Sequence, residues 1–465
     1  MTSTSADPTP VEADPRRWKA LVVIAIAQLM IVLDASIVNM ALPSIQADLG
    51  ISDADRQWAV TAYTLAFGSL LLLGGRIADY AGRKRVFIIG LTGFALASAL
   101  GGLATTSTML FASRGLQGVF AALLAPAALS LISVTFTDSK ERAKAFGVYG
   151  ALSGGGAAIG LVLGGVLTEY FSWHWCFLVN VPIAVLAIFL AIPNVRESRA
   201  TGNTKYDVPG AITATVGLFC LVFGITKAES DGWNGTSTVT FLAISVVLLF
   251  VFLFIEYKST HPLLPLKIVL ERNRGGAYLS SFFVGVGLFS MFLFISYFFQ
   301  AVLQYSPLTS GLLFLPFSAG VVISAGIASQ LLPRFGPRWV TFTGFVMAVI
   351  GMSLYFRLTP ESTYVSGILP SIILMSLGMG LIFVPLSATA LYGVGDHDAG
   401  VASAVLNTAQ QIGGSIGVAF LNTIAASATA AFVVANNLQQ PNADALVEGF
   451  TTTFMWSTAI LAFAG

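Results

Sequence analysis

Charge is scarce in this chain. Asp, Glu, Lys and Arg together make up 10% of its 465 residues, while hydrophobic residues make up 56%. Soluble domains carry about 25% charge. So few charges cannot cover a water-facing surface of this size, which excludes a string of soluble domains. A surface facing lipid needs almost none. Cysteine is scarcer still. Cys176 and Cys220 are the only two, each inside an apolar run, so no disulfide framework and no CxxC metal or redox site can be drawn. The three histidines, His174, His261 and His397, stand apart and near loops, which leaves no zinc constellation. Neither GxxxxGK[ST] nor HExxH occurs, so a P-loop nucleotide site and a zinc protease site are absent. Gly413-Gly414-Ser415-Ile416-Gly417 spells GxSxG. It lies inside a helix-length apolar run with no strand before it, so the nucleophile elbow cannot form. The net charge of +1 gives no footing for nucleic acid.

What the chain has is apolar runs of about 20 residues, the length that crosses a bilayer core. They fall near 19–43, 58–75, 86–104, 109–133, 144–167, 175–193, 208–227, 237–256, 277–301, 311–332, 339–357, 365–391, 400–424 and 450–465. The reading is an all-α membrane protein with 14 transmembrane helices, the last of them incomplete. Cations test the count. With the N-terminus placed in the cytoplasm, 19 of the 23 Lys and Arg residues fall on the cytoplasmic side. Arg56, Lys227 and Arg357 fall outside, and Arg114 falls within a span. One span more or fewer would scramble that partition downstream.

The organisation expected is a disordered cytoplasmic tail over 1–17, rich in Ser, Thr, Pro and Asp. A six-helix bundle follows over 18–193, then a polar linker over 194–207. Two inserted helices occupy 208–256, and a second six-helix bundle occupies 257–465. The division rests on an internal repeat at an offset of eight spans. Gly75 to Arg85 follows the second span and Ser329 to Arg338 follows the tenth, with Gly82 against Gly336 and Asp79 against Pro333. Glycines cluster in the fifth span at Gly154, Gly155, Gly156, Gly160, Gly164 and Gly165, and in the thirteenth at Gly413, Gly414 and Gly417. Secondary transporters are commonly built from such repeats.

Over nearly its whole length the sequence resembles the fourteen-span drug–proton antiporter branch of the major facilitator superfamily. Leu33-Asp34-Ala35-Ser36-Ile37-Val38-Asn39-Met40-Ala41-Leu42-Pro43 looks like that branch's first-helix motif. Gly75 to Arg85 looks like the superfamily's loop signature, and Arg114-Gly115-Leu116-Gln117-Gly118 like the fourth-helix motif of proton antiporters. Gly156 to Gly165 resembles the fifth-helix antiporter motif, although Leu161 stands where the family usually has Pro. Trp173-His174-Trp175 replaces an expected Trp-Arg-Trp, and Asn180-Val181-Pro182 follows it. The resemblance implies the major facilitator fold, two six-helix bundles plus two inserted helices, in the cytoplasmic membrane. It implies a monomeric antiporter, without cofactor and driven by the proton gradient, that exports small lipophilic drugs or antibiotics. A dedicated exporter of one metabolite, siderophore or lipid fits the same residues. An intramembrane enzyme lacks paired catalytic groups. A channel lacks a ring of like charge or a polar pore stripe.

Asp34 is the leading candidate residue, because a carboxylate within a span is costly and marks function. It lies about 14 Å below the outer end of its helix and Arg114 about 9 Å below the same side, at about 1.5 Å rise per residue. The guanidinium keeps its charge at any accessible pH, so if the two helices are neighbours the pair is the expected proton-coupling site; a pair that only braces helix contacts is the other reading. The resemblance implies that Gly75, Asp79, Gly82, Arg83 and Lys84 form a gating loop between the bundles; a tight turn whose cations only set the topology is the other reading. A carboxylate there can face a helix N-terminus, and the thirteenth span, starting near Gly400, offers one on the same side. The small face of Gly156, Gly160, Gly164 and Gly165 permits close helix approach. Asn39, Gln117, Gln300, Asn407 and Gln411 are candidate cavity-lining polar residues, for which hydrogen bonding between helices is an equal reading. The 35 phenylalanines suit a lipophilic ligand and equally suit lipid. No carboxylate falls inside spans 9 to 14, which disfavours a strictly cationic substrate.

Overall fold

A computed structural model describes residues 14–51, 58–199, 207–260, 262–395 and 397–465. Most of the tail expected over 1–17 and half of the linker expected over 194–207 lie outside those residues. Among the described residues the regular elements are helical. The first part of the chain forms α1 (Arg17–Leu49), α2 (Trp58–Ala81), α3 (Arg83–Gly102), α4 (Ser107–Thr135), α5 (Ser139–Tyr170), the short α6 (Trp175–Leu178) and α7 (Asn180–Asn194). Next come α8 (Val208–Asp231), α9 (Thr236–Lys258) and the short α10 (Leu266–Leu270). The last part forms α11 (Arg272–Tyr297), α12 (Pro307–Leu313), α13 (Leu315–Ser353), α14 (Leu369–Leu391), α15 (Ala399–Ala435) and α16 (Ala443–Ala464).

Twelve helical stretches among the described residues are long and apolar enough to cross a membrane, against the fourteen expected. The difference sits at two places. The run Leu308–Arg357 counts once, with 50 residues, where the sequence reading had two spans. Within it α13 passes through Gly336 at φ 75°, ψ 166°, between Pro333 and Pro337. A positive φ is open to glycine and costly for other residues, and each proline removes a backbone donor. Helix α5 is 32 residues long but is not among the twelve, its apolar stretch being the shorter Ile159–Tyr170. The last helix starts at Ala443, not near 450. Its 22 residues reach about 33 Å, so it has crossing length where an incomplete helix was expected.

Packing follows the repeat crosswise. α1 lies along α5, and α2 and α3 lie along α4. In the last part α13 pairs with α14, and α11 with α15. The main contacts between the two parts are α5 against α12, α13 and α14, and α2 and α4 against α15. An offset of eight spans carries α2 onto the first half of α13 and α5 onto α15, so the two seams exchange under the repeat. The pair α8–α9 docks through α8 on α2 and α15, beside one seam. α9 itself faces outward. Thr238, Ser245, Phe252 and Glu256 are its buried residues, while Phe250, Phe254 and Tyr257 are more than 60% exposed, as a lipid-facing helix would be.

Candidate functional site

Asp34 sits past the middle of α1 and is fully buried, as is Arg114 near the start of α4. α4 is launched by Thr106, whose hydroxyl accepts from the Met109 N–H, a normal capping arrangement. The next turns bring Arg114 and Gln117 onto the face toward α1. Arg114 Nη1 donates to Asp34 Oδ2 at 2.6 Å, and its Nε donates to the Ala59 carbonyl of α2 at 2.8 Å. The other carboxylate oxygen, Oδ1, accepts from Gln117 Nε2 and from Asn180 Nδ2, both at 2.8 Å. Gln117 Oε1 accepts from Arg114 Nη1 at 2.7 Å, and Gln117 Nε2 also reaches Ser98 Oγ at 2.7 Å. The guanidinium carbon lies 4.5 Å from the Tyr63 ring centroid, within cation–π range. Five helices thus meet around the Asp34–Arg114 pair, α4 and α7 at the carboxylate itself and α2 and α3 through Arg114 and Gln117. A buried ion pair persists only where surrounding hydrogen bonds offset its desolvation, and here Gln117, Asn180 and Ala59 supply them.

The glycines of α5 line the same stretch of α1. A Cβ on Gly156 would meet Val32, one on Gly160 would meet Ser36 Oγ and the Leu33 carbonyl, and one on Gly164 would meet the Ile37 carbonyl at 2.7 Å. These contacts flank Asp34 above and below, so the glycine face sets how closely α5 approaches the buried acid. Gly165 turns instead to Leu308 of α12, in the other part of the chain.

A second polar cluster ties the two parts together at the end where α1 begins. Asp79, fully buried, accepts from Arg83 Nη2 at 2.7 Å. Its two oxygens also accept from the Gly400 N–H at 3.0 Å each, and Oδ2 accepts from the Val401 N–H at 3.3 Å. The start of α15 is therefore the helix N-terminus that Asp79 meets. The approach is backbone on backbone. A Cβ on Gly75 would strike the Gly400 carbonyl, and one on Gly400 would strike the Gly75 carbonyl and Asp79 Oδ1. Gly82 separates α2 from α3 at φ 109°, and beside it Glu197 accepts from the Lys84 and Arg85 N–H groups at 3.1 Å, capping α3. Lys84 Nζ reaches the Ile192 carbonyl at 2.7 Å. Arg76, 1% exposed, completes the cluster. Its Nη1 pairs with Asp398 at 2.8 Å, while Nε and Nη2 donate to the Leu263 and Pro262 carbonyls at 2.9 Å. Burial pushes the Asp398 carboxyl up, but the hydrogen bond and charge of Arg76, with His397 behind them, hold it below the ordinary carboxylate range.

The remaining candidates scatter. Asn407 lines a small cavity between the two parts with Tyr149, Ser153, Ser281, Ser387 and Gln410, and its amide donates to Ser403 O at 3.0 Å in its own helix. Its neighbour there is Gln410, not Gln411. Gln300 lies half-buried in the π-helical turn Phe298–Val302, away from that cavity. The side chain of Asn39 lies outside the described part of the structure. Sequence reasoning missed Asn180, Ser98 and Tyr63 at the Asp34 site, and Arg76, Glu197 and Asp398 at the seam. Asn180 had a signal in the Asn-Val-Pro motif, but its reach to α1 did not.

Buried charge at mid-span, two groups of helices meeting along exchangeable seams, and a lipid-facing exterior define a multi-pass membrane carrier. The chain belongs to the Major Facilitator Superfamily, whose profile matches residues 24–418. It is a transporter of small molecules and not an enzyme. It is 48% identical over 453 residues to the puromycin resistance protein pur8 of Streptomyces alboniger, covering 96% of this chain and 90% of that one. It is 38% identical over 414 residues to the cephamycin export protein of Amycolatopsis lactamdurans, covering 88% and 85%. It is 33% identical over 439 residues to the tetracenomycin C resistance and export protein of Streptomyces glaucescens, covering 92% and 80%. In fold it is similar to the human organic anion transporter MFSD10 (TM-score 0.66, 15% identity, 96% of this chain and 100% of that one). It is also similar to the proton:xylose symporter XylE (TM-score 0.62, 13% identity, 97% and 96%).

Proposed function

We propose that this protein is a proton-coupled antiporter that exports antibiotic-like, lipophilic small molecules from the cytoplasm by alternating access. The observation that carries the coupling is the Asp34–Arg114 pair, sealed at 0% exposure and fed by three helices beyond its own two. Ionised, Asp34 neutralises Arg114. Protonated, it leaves a permanent cation unpaired in a low-dielectric site, which costs several kcal/mol. One proton thereby shifts the relative energy of helix arrangements around α1, and the glycine face of α5 is the surface along which they slide. Asp79, Arg83 and Arg76 act as the gate that latches the cytoplasmic seam, and the cavity around Tyr149, Asn407 and Gln410 offers hydrogen bonds without charge. Within this reading the chain crosses the cytoplasmic membrane fourteen times from a cytoplasmic N-terminus, as a monomer. The break at Gly336 and the 32 residues of α5 support the two crossings beyond twelve, and the cation partition supports the orientation. The bundles are 18–193 and 257–465, with 208–256 inserted.

A second reading is a narrow exporter of one compound. It is favoured by relatives whose names each give a single antibiotic: puromycin, cephamycin and tetracenomycin C. Efflux of a panel of antibiotics and dyes into energised inverted vesicles, with and without an uncoupler, tests both. Uncoupler-insensitive accumulation would sink the proton-coupled reading, and accumulation of one compound alone would select the narrow one.

A further inference from the structure

The inserted pair α8–α9 holds a pair of acids that the sites above do not use. Asp207 caps α8, with Oδ1 accepting from the Gly210 N–H at 2.9 Å. Glu256, in the last turn of α9, is 4% exposed, and its Oε2 accepts from the Leu264 N–H at 2.9 Å. The other oxygen of each, Asp207 Oδ2 and Glu256 Oε1, is buried and has no hydrogen-bond partner among the described residues. Both converge on Gly210. The position of a Cβ there would lie 2.7 Å from Glu256 Oε1 and 2.9 Å from Asp207 Oδ2. Two unpartnered carboxyl oxygens thus share one small space, and the glycine keeps it clear.

Two ionised carboxylates cannot comfortably share such a space, and one proton between them satisfies both orphan oxygens. Among the described residues, the charged groups nearby do not offer an alternative partner. Arg76 reaches in from α2, but its nitrogens go to Leu263 O, Pro262 O, His397 O and Asp398. Asp398 and His397 at the start of α15 and Lys267 of α10 line the far side of Arg76. Tyr257 and Lys258, on the same turn as Glu256, are exposed. The geometry points to a second proton-binding site, in which one proton is held between Glu256 Oε1 and Asp207 Oδ2, apart from Asp34. The site is wired to the seam. Leu264, whose N–H binds Glu256, adjoins Pro262 and Leu263, whose carbonyls bind Arg76. Loss of the proton sets two carboxylates against each other and strains the loop that holds Arg76 against Asp398. The inserted helices thereby sense protons on behalf of the gate.

Infrared difference spectroscopy of the full chain in lipid nanodiscs tests this, with the parent, Glu256→Gln and Asp207→Asn compared near neutral pH. The parent is expected to show a protonated-carboxyl C=O band that disappears on alkalinisation. Either substitution removes or moves that band, and Asp34→Asn leaves it in place. A band unchanged in both Glu256→Gln and Asp207→Asn, or loss of the band in Asp34→Asn alone, overturns the proposal. If Glu256→Gln does not fold, Asp207→Asn, at the N-cap of α8, decides alone.

Discussion

Asp79 and Gly400 stand 321 positions apart in the chain, yet the Gly400 N–H reaches both Asp79 oxygens at 3.0 Å. The carboxylate closes two debts at once, the open N–H groups at the start of α15 and the charge of Arg83. Asp79→Asn keeps the shape and removes the carboxylate charge that faces Arg83, itself buried at 1% exposure. Breaking a buried pair from one side costs about 3–5 kcal/mol. The expected outcome is a seam that opens more readily, read as faster alkylation of a cysteine placed at Ala404 and a lowered unfolding temperature. Unchanged alkylation would remove Asp79 from the gate.

Asp34→Asn keeps one oxygen that can accept from Asn180 and Gln117, but it removes the counter-charge of the buried Arg114, so a lowered unfolding temperature is expected, and it cannot take up or release a proton. Proton-driven efflux in inverted vesicles is expected to fall to background. Substrate-driven counterflow, which needs no net proton movement, should survive in part. Full efflux from this variant would displace Asp34 from coupling.

The glycine face gives a graded prediction. Gly160→Ala places a methyl against Ser36 Oγ and the Leu33 carbonyl, whereas nothing lies within 4 Å of a Cβ on Gly115. Overpacking of a tight contact costs about 1–3 kcal/mol. Gly160→Ala is expected to lower transport and unfolding temperature, and Gly115→Ala to leave both near the parent values. Equal effects at the two positions would show that the α1–α5 approach does not matter.

The Arg76–Asp398 contact carries a pH dependence of definite sign. Its carboxyl is held below the ordinary range, so its contribution is complete above the ordinary carboxylate value of about 4 and is lost as pH falls through the lowered value. The stability gap between the parent and Asp398→Asn should therefore be constant near neutrality and close only in strong acid. Closure of the gap around pH 6, measured by thermal unfolding against pH, would contradict the assignment.

Much of this arrangement was legible in the sequence, because membrane chains write their chemistry in exceptions. A lone Asp and a lone Arg inside apolar runs could be matched by depth alone, and the structure places them 2.6 Å apart. Asp79 could be matched to Gly400 because a helix start and a carboxylate shared one side. Asn180 escaped for the opposite reason. An amide at a helix start has many ordinary uses, and only the folded path of α6 and α7 carries it back to α1. Arg76 was counted as a topology-setting cation, since no local pattern separates a solvated arginine from one whose nitrogens are all engaged. Gln410 and Gln411 differ by one position, about 100° around a helix, and hydropathy could not say which of them turns inward. The count of spans differs at Gly336, where the two spans that the sequence separates run on as one long element, and at α5, whose apolar stretch is short.

The meeting of Gly75 with Gly400 has one more consequence. Where side chains stand between two helices, rotamer changes can loosen the gap by degrees. Here main chain touches main chain, and the side chain at the contact, Asp79, is held by the Gly400 N–H at both oxygens. The seam can part only when the helices translate as rigid bodies. Its motion should therefore be stepwise, with two resting positions and little between them, so a single-molecule distance trace across α2 and α15 would show jumps and not drift.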